Sequence, residues 1–498
     1  MYIVFHMAKY VKYPLFRLRY LLIFNNFAPL LQKELTHPIF KIVSEESQKL
    51  GFETFVVGGY VRDIYLNRAS KDVDFVTVGS GIALASAVKK RLEGSYLSVF
   101  KNFGTAQIKT DDWEFEFVGA RKESYDRDSR KPKVEDGTFE DDIYRRDFTI
   151  NTLAISLNKQ NYGELIDTFD GLTDLKNGLL KTPLDPKVTF SDDPLRMMRA
   201  ARFATQLDFK IEEQTFEALK TEASRLNIIS QERITDELNK IILSTKPSIG
   251  FNILFDTKLL HQFFMEFVAL QGVEIREGKS HKDNFYHTLQ VLDQACHKTN
   301  DLWVRWAAIL HDIAKPPTKR FVPGDGWTFH GHEDKGSRMV KPIFKRLKLP
   351  LGESMRKVVN LVKLHLRPIA LTKEYITDSA VRRLIFDADQ DLEDLMILCK
   401  SDITTKNKKK EERFQANLLN VEANIAAVEE RDRIRNWQPP IGGEEIMKMF
   451  GIGPSKEIGT IKTALKDAIL DGDITNDYTE AYKFVHQLGK ELGLQRNE

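Results

Sequence analysis

Apolar residues recur at helical spacing from Ile39 to Leu50. A β-branched, aromatic run from Phe52 to Val57 follows and stops at Gly58-Gly59. Val61 to Leu66 starts a second helical pattern, and Asp74 to Val78 reads as a strand. Ile82 to Leu92 is helical again, while Glu114 to Val118 alternates polar and apolar positions as a half-buried strand does. Residues 37–125 are therefore expected to form a mixed α/β unit. Residues 124–142, with Asp126, Arg127, Asp128, Arg130, Lys131, Pro132 and Lys133, break the pattern and read as a mobile loop. From about residue 190 helical periods dominate. Pro439-Pro440-Ile441-Gly442-Gly443 reads as a linker into the last segment.

Composition sets limits on this picture. A chain of 498 residues suits roughly three to four domains. Hydrophobic residues at 42% and charged residues at 29% exclude a mainly disordered or collagenous protein. Two cysteines, Cys296 and Cys399, are too few for a zinc finger or a disulfide framework and suit a reducing cytoplasm. A formal net charge of +2, read alone, argues against nucleic acid, but it averages acidic metal ligands against basic segments such as Lys406–Lys410. The first 33 residues hold no acidic residue. Their apolar stretch, Tyr20 to Phe24, falls far short of the roughly 20 residues that span a bilayer. Residues 1–36 are expected to be an extension outside the fold, and no membrane partner is expected.

The segment Val56-Val57-Gly58-Gly59-Tyr60-Val61-Arg62-Asp63 joins a strand to a helix. Glycines let backbone N–H groups approach phosphate oxygens, and a helix N-terminus favours anions. Arg62 adds a guanidinium fork for the same phosphates. Asp72 and Asp74, two apart on a strand, would point to one face and offer hard oxygens that suit Mg²⁺. Glu116, on a later strand, would supply a third carboxylate. Such a set fits two-metal phosphoryl transfer. The plainer reading is a tight turn, a surface Arg62–Asp63 ion pair and an exposed Glu116.

These residues resemble the signature of the class II tRNA nucleotidyltransferase and bacterial poly(A) polymerase family. The match continues in order. Arg145-Arg146-Asp147-Phe148-Thr149-Ile150-Asn151 resembles the arginine-rich second motif. Ile166 to Leu175 resembles the motif joining head to neck, Asp192 to Phe203 the nucleotide-recognition helix, and Glu232 to Leu238 the motif closing the neck. The resemblance implies an α+β fold. A DNA polymerase β-like head, a mixed sheet with helices, is followed by a mostly helical neck, body and tail. It also implies that Arg146, Asp147 and Arg199 belong to the nucleotide site, and that the charged loop helps switch specificity from C to A.

Asp193 and Arg196 stand i and i+3, which on a helix is one face. A carboxylate only accepts hydrogen bonds and a guanidinium only donates them. Cytosine and adenine each offer an amine beside a ring acceptor, so the pair would match both. Uracil and guanine present the reverse order and would leave the pair mispaired, a rejection of several kcal/mol on the order of that for any buried unpaired charge. CTP and ATP would thus be selected without a template. Pro194 departs from the family pattern and suits the first turn of a helix.

Seven of the eleven histidines lie between His281 and His365. His287, the pair His311-Asp312, His332, His365 and Asp402 follow one another in an order that resembles the HD superfamily of metal-dependent phosphohydrolases. The resemblance implies a divalent transition metal or Mg²⁺ on these side chains. The alternative is a helical body that uses them only for packing and RNA contact. The C-terminal segment from Gly451 resembles the tail of HD-bearing tRNA nucleotidyltransferases.

The expected order is a head over 37–170, a neck over 171–245, an HD domain over 246–405 and an RNA-contacting tail over 406–498. The expected activity is addition of CCA to tRNA from CTP and ATP in the cytoplasm. Asp72, Asp74 and Glu116 would be catalytic, with Gly58, Gly59 and Arg62 cradling the triphosphate. The rivals are a poly(A) polymerase or a CC- or A-adding enzyme on the same scaffold, and an HD phosphohydrolase whose head only binds RNA.

Overall fold

The computed structural model describes residues 31–124, 133–372, 377–405, 407–432 and 438–495. Its contacts divide the chain into two units. One runs to Leu238 and includes Ile249–Phe263, and the other holds Asn239–Ser248 and continues from Phe264.

In the first unit the helical period after His37 becomes the helix Pro38–Leu50. His37 Nδ1 accepts the Ile39 N–H and Pro38 occupies the first turn. Gly51, at φ 73°, ends the helix in the left-handed conformation that glycine adopts without strain. The unit's first nine strands are β1 (Glu53–Val57), β2 (Asp72–Val78), β3 (Tyr96–Phe100), β4 (Thr105–Lys109), β5 (Glu114–Gly119), β6 (Arg121–Ser124), β7 (Lys133–Asp136), β8 (Ala154–Ser156) and β9 (Leu165–Ile166). Seven of them form one sheet in the order β3-β4-β5-β2-β1-β8-β9. Only the β2–β5 pairing within it is parallel.

One face of this sheet is apolar. Val73, Phe75, Ala106, Ile108, Phe115 and Phe117 are all buried on it, as are Ile39, Phe40 and Val43 of the first helix and Leu84, Ala85 and Val88 of the helix Gly81–Lys89. Phe75 stacks on Phe117 with centroids 4.9 Å apart. The opposite face is apolar only toward β1 and β8, where Phe55, Val57, Val76 and Ala154 gather with Ala120, Phe139 and Ile143. The rest of it carries the carboxylates.

Three expectations change. Residues 1–30 lie outside the described residues, but Leu31 and Leu35 are buried, so the packed region begins before residue 37. Residues 125–132 of the expected mobile loop also lie outside them. Its remainder is ordered: β6 pairs with β7, and the helix Phe139–Tyr144 starts at a capping box between Thr138 and Asp141. The Pro-Gly stretch is not a free linker, because Ile441 is buried against Ile446, Phe450, Ile461 and Leu465 in the tail core. Gly443–Phe450, Lys456–Asp471 and Tyr478–Glu491 are its helices. Of the basic run, Lys406 lies outside the described residues, and Lys408–Lys410 are exposed at the start of the helix Lys408–Asp432. No helix among the described residues is long and apolar enough to cross a membrane.

The second unit is helical and holds a buried arginine at its centre. Arg305 donates to the carbonyls of Ile242, Ser244, Cys296 and Thr299 and to Asn300 Oδ1. Replacement by methionine would fill the space and leave these acceptors unpaired, at about 1–3 kcal/mol for each that water cannot reach. Arg305→Met is expected to cost about 3 kcal/mol or more. The urea midpoint of unfolding reads it, and an unchanged midpoint would show that this network does not stabilise the unit.

Candidate active site

The glycine turn comes first. Gly58 closes β1 at φ 75° and the helix Gly59–Tyr65 follows. A Cβ at Gly58 would lie 3.1 Å from Arg146 Nη1 and 3.5 Å from Asp74 Oδ2, so the backbone is pressed against the polar site. Alternation along β2 sends Asp72 and Asp74 to one face. The parallel register of β5 sets Glu116 beside Asp74 and Glu114 beside Asp72. Glu114 was not expected, although its i,i+2 spacing from Glu116 carried the signal.

These carboxylates repel one another. Burial and the charges of Glu116 and Asp72 push Asp74 up to about 6, against the opposing pull of Arg146 and Arg199. Burial and Glu114 raise Asp72, and burial and Asp72 raise Glu116. A cluster of oxygen ligands made costly by its own charge suits a divalent cation.

The arginines are placed by buried acids. Asp142 is fully buried and accepts from both Arg145 and Arg146, the latter at 2.9 Å. Burial would raise it, but Arg146 and Arg145 outweigh that and hold it low. Asp147 behaves alike. Arg199 Nε donates to its Oδ2 at 2.6 Å and Asn151 Nδ2 to its Oδ1 at 3.0 Å. Despite burial, Arg199 and Asn151 hold it at about 2. The structure thus places Asp147 against Arg199, within the protein. Asn151 Oδ1 also receives Arg62 Nη1 at 2.9 Å, while Arg62 pairs with Asp63 at 2.8 Å.

Phe203 completes the support. The guanidiniums of Arg62, Arg199 and Arg202 lie 5.2, 5.3 and 3.9 Å from its ring centre. Sequence reasoning did not single out Asp142, Asn151 or Phe203. The i,i+3 and i,i+4 spacing of Asp142 to Arg145 and Arg146 was the available signal. For Phe203 only its i,i+4 spacing from Arg199 on one helix hinted at contact.

Asp193 and Arg196 do not share a helix face. Asp193 ends the helix Pro186–Asp192, and the next helix, Leu195–Leu207, begins after Pro194. Asp193 Oδ1 accepts the Leu195 N–H at 3.1 Å, and its Oδ2 is 3.6 Å from Arg233. Arg196 is buried, with Nη1 on Thr189 O at 3.1 Å and Nη2 on Arg145 O at 2.5 Å. Pro194 causes the change, since its fixed φ starts a new helix at that residue. The anchored guanidinium keeps further N–H groups for a ligand.

In the second unit six expected residues come together from separate helices. His287 lies within the helix Asn284–Cys296, and His332 opens the helix His332–Arg346. His311, His365 and Asp402 each directly follow a helix, Leu302–Leu310, Glu353–Leu364 and Leu392–Ser401 respectively. Ligand atoms of His287, His311 and Asp312 lie within 4.8 Å of one another, as do those of Asp312, His332 and His365. Asp402 Oδ1 is 3.0 Å from His287 Nε2.

The ring orientations match metal ligation. The Nδ1 atoms of His311, His332 and His365 each meet a backbone carbonyl, of Ala308, Phe329 and Val362, at 2.8, 2.8 and 2.7 Å. Thr404 Oγ1 holds His287 Nδ1 at 2.8 Å. The Nε2 atoms of His311, His332 and His365 are buried; those of His311 and His332 lie 3.2 and 3.3 Å from Asp312 without hydrogen-bond geometry, and that of His365 has no partner among the described residues. A buried imidazole nitrogen without a partner costs free energy unless something else binds it, and outer partners of this kind are what orient metal-bound histidines. Burial and nearby His311 press His365 down to about 4, which keeps it neutral. Lys315 Nζ lies 2.6 Å from Asp312 Oδ2.

Comparison with known proteins follows the same division. The Poly A polymerase head domain model matches residues 54–181, a probable RNA and SrmB-binding site of polymerase A matches 208–270, and the HD domain matches 284–405. An A-adding tRNA nucleotidyltransferase of Deinococcus radiodurans is 31% identical over 447 residues, 88% of this chain and 95% of that protein. A multifunctional CCA protein of Nitrosococcus oceani is 32% identical over 392 residues, 75% of this chain and 90% of that one. Among solved structures, a CCA-adding enzyme in apo form I aligns with a TM-score of 0.60 at 24% identity, covering 92% of this chain and 96% of that chain. At that identity the likeness is one of fold.

The Asp147–Arg199 pair yields a pH prediction. A carboxylate lowered in the folded state from 3.8 to about 2 adds stability above the unfolded value, and this is lost as pH falls through about 2. Asp147→Asn leaves Arg199 unpaired and is expected to cost about 3 kcal/mol at pH 7. Denaturant unfolding should show the gap to the unaltered protein closing between about pH 4 and pH 2. A gap constant with pH would refute the ion pair's role.

Proposed function

The chain belongs to the family of class II tRNA nucleotidyltransferases and poly(A) polymerases, and from that premise we propose that it adds CCA to the 3′ end of tRNA. The reaction takes CTP and ATP, uses no template and releases pyrophosphate. The observation that carries this reading is the row of Asp72, Asp74 and Glu116 on one sheet face, directly beside the Gly58 turn and Arg146.

Asp72, Asp74 and Glu116 would hold Mg²⁺. When bound, the ions would activate the RNA 3′-hydroxyl and neutralise charge on the triphosphate. Backbone N–H groups at Gly58 and Gly59, with Arg62, would receive the phosphates. Arg146 and Arg199, fixed by Asp142 and Asp147, would meet the triphosphate or ribose without having to be ordered on binding. Asp193 and the anchored Arg196 would read the amine and ring nitrogen of cytosine and adenine. The rest of the tRNA would be recognised through its shape and backbone. The free thiols Cys296 and Cys399 suit a cytoplasmic enzyme.

The buried, unbonded Nε2 atoms favour a second activity in the same chain, metal-dependent phosphohydrolysis. His287, His311, Asp312, His332, His365 and Asp402 would hold a divalent ion. Four imidazoles favour a transition metal, although Mg²⁺ on the carboxylates is the alternative. When bound, the metal would supply an activated water for a phosphate ester.

The deciding assay incubates tRNA lacking its 3′ CCA with labelled CTP and ATP. Ordered gain of two C and one A is expected. Gain of A alone on tRNA ending in CC would make the chain an A-adding enzyme, and long A tails would make it a poly(A) polymerase. Asp74→Ala should lower incorporation by at least a thousandfold, and residual incorporation near the starting rate would remove Asp74 from the site. For the second activity, Asp312→Asn should lose most of the bound metal in elemental analysis of the purified protein. Undiminished metal content would remove the phosphohydrolase reading while leaving the first intact.

A further inference from the structure

We propose that the outer part of the active-site sheet face is a stacking platform for the unpaired 3′ end of the RNA being extended. This rests on the nucleotidyl-transfer reading above and goes beyond it by assigning a path to the primer.

Strand register provides the first step. Asp74 stands beside Glu116, Glu116 beside Gln107, and Gln107 beside Ser98. Residues paired across strands share a face. The row that begins at the carboxylates therefore runs without interruption to β3, the edge strand. Three strand spacings of roughly 4.8 Å set that edge about 14 Å from β2.

Tyr96 and Phe100 flank Ser98 on the same face, by alternation. Tyr96 is 76% exposed and Phe100 47%, and Phe103 just beyond the strand is 68% exposed. Three large exposed rings within eight residues mark an interaction site more than a folding need. Lys101 and Lys109 are exposed beside them. Lys109 is held only by an exposed ion pair with Glu114, which a phosphate can replace at little cost.

The direction is set by what covers the rest of the face. Toward β1 and β8 it is closed by Phe139 and Ile143, packed on Phe55, Val57 and Val76. Among the described residues, a strand whose 3′-hydroxyl lies at Asp74 finds exposed positions toward β3, at Glu116, Ser98 and Tyr96. Every base has an aromatic face, so stacking on tyrosine and phenylalanine holds it whatever its identity. Lysines beside the rings suit the phosphates. Rings for bases with cations for phosphates favour single-stranded RNA over a protein strand added to the β3 edge.

The test uses the full chain and a tRNA transcript that lacks its terminal A and carries 2-aminopurine at the third position from its 3′ end. The unaltered protein should quench the 2-aminopurine on binding. A Tyr96→Ala, Phe100→Ala double variant should lose the quench and raise KM for the transcript on the order of tenfold. Its KM for ATP and its melting temperature should stay unchanged. The ring-preserving Tyr96→Phe, Phe100→Tyr variant should keep both RNA readouts. If the double variant fails to fold, Tyr96→Ala alone, at a solvent-exposed position, should give the same loss in smaller measure.

An unchanged quench and KM in the alanine variant would overturn the platform. If that result came with a shift from dimer to monomer in sedimentation, the edge would be a self-association surface instead. Absence of nucleotide incorporation by the unaltered protein would refute the transferase reading. Incorporation by it, with RNA readouts indifferent to Tyr96 and Phe100, would refute the platform alone.

Discussion

On the active-site face of the sheet, Asp74 sits between two other carboxylates, Glu116 across the strand pair and Asp72 two residues back. Burial, joined by repulsion from Glu116 and Asp72, raises Asp74 to about 6. Much of the first unit's polar architecture answers that one strain. Arg146 and Arg199 pull in the other direction, and each is held by a buried acid of its own, Asp142 and Asp147. The acids behind the site are each matched to arginines and stay charged far into acid. The acids at the site face one another and are only partly offset by Arg146 and Arg199, which is a condition under which a divalent cation binds well.

The second unit meets a related problem with different chemistry. Three of its histidines are buried and oriented by backbone carbonyls, so their other nitrogens converge on Asp312 and on one another. Asp312 lies between two groups of three ligands and is shared by both. Imidazole nitrogens gathered around a few carboxylates make this a mixed nitrogen and oxygen cluster, unlike the all-oxygen set in the head. The two clusters therefore differ in ligand type as well as in place, and one can be altered chemically while the other is left alone.

Much of this was legible in the linear pattern. The alternation at Asp72 and Asp74, the glycine pair after β1 and the histidine order from His287 to His365 rest on local periodicity, which survives in a single sequence. Less legible were strands β3 and β4, because Tyr96–Phe100 is exposed on both faces and shows no hydrophobic alternation. Within the stretch expected to be a mobile loop, a capping box and the burial of Phe139 and Ile143 set a helix, two effects that charge density conceals. Asp193 and Arg196 were expected on one helical face, but spacing alone does not say where one helix stops and the next begins.

By itself, then, the sequence determined which residue types stand at which spacing: paired carboxylates on a strand, arginines on a helix, histidines at helix ends. Those follow from backbone geometry within a few residues. Only the tertiary structure decided which acids crowd against one another and which are paired with arginines. Asp74 and Asp147 are the same residue type in comparable motifs, yet one is raised to about 6 and the other lowered to about 2. Burial raises both; at Asp147 the direct contacts of Arg199 and Asn151 outweigh it, while at Asp74 the carboxylates of Glu116 and Asp72 add to it, and Coulomb interactions of that kind depend on distances that no local pattern contains.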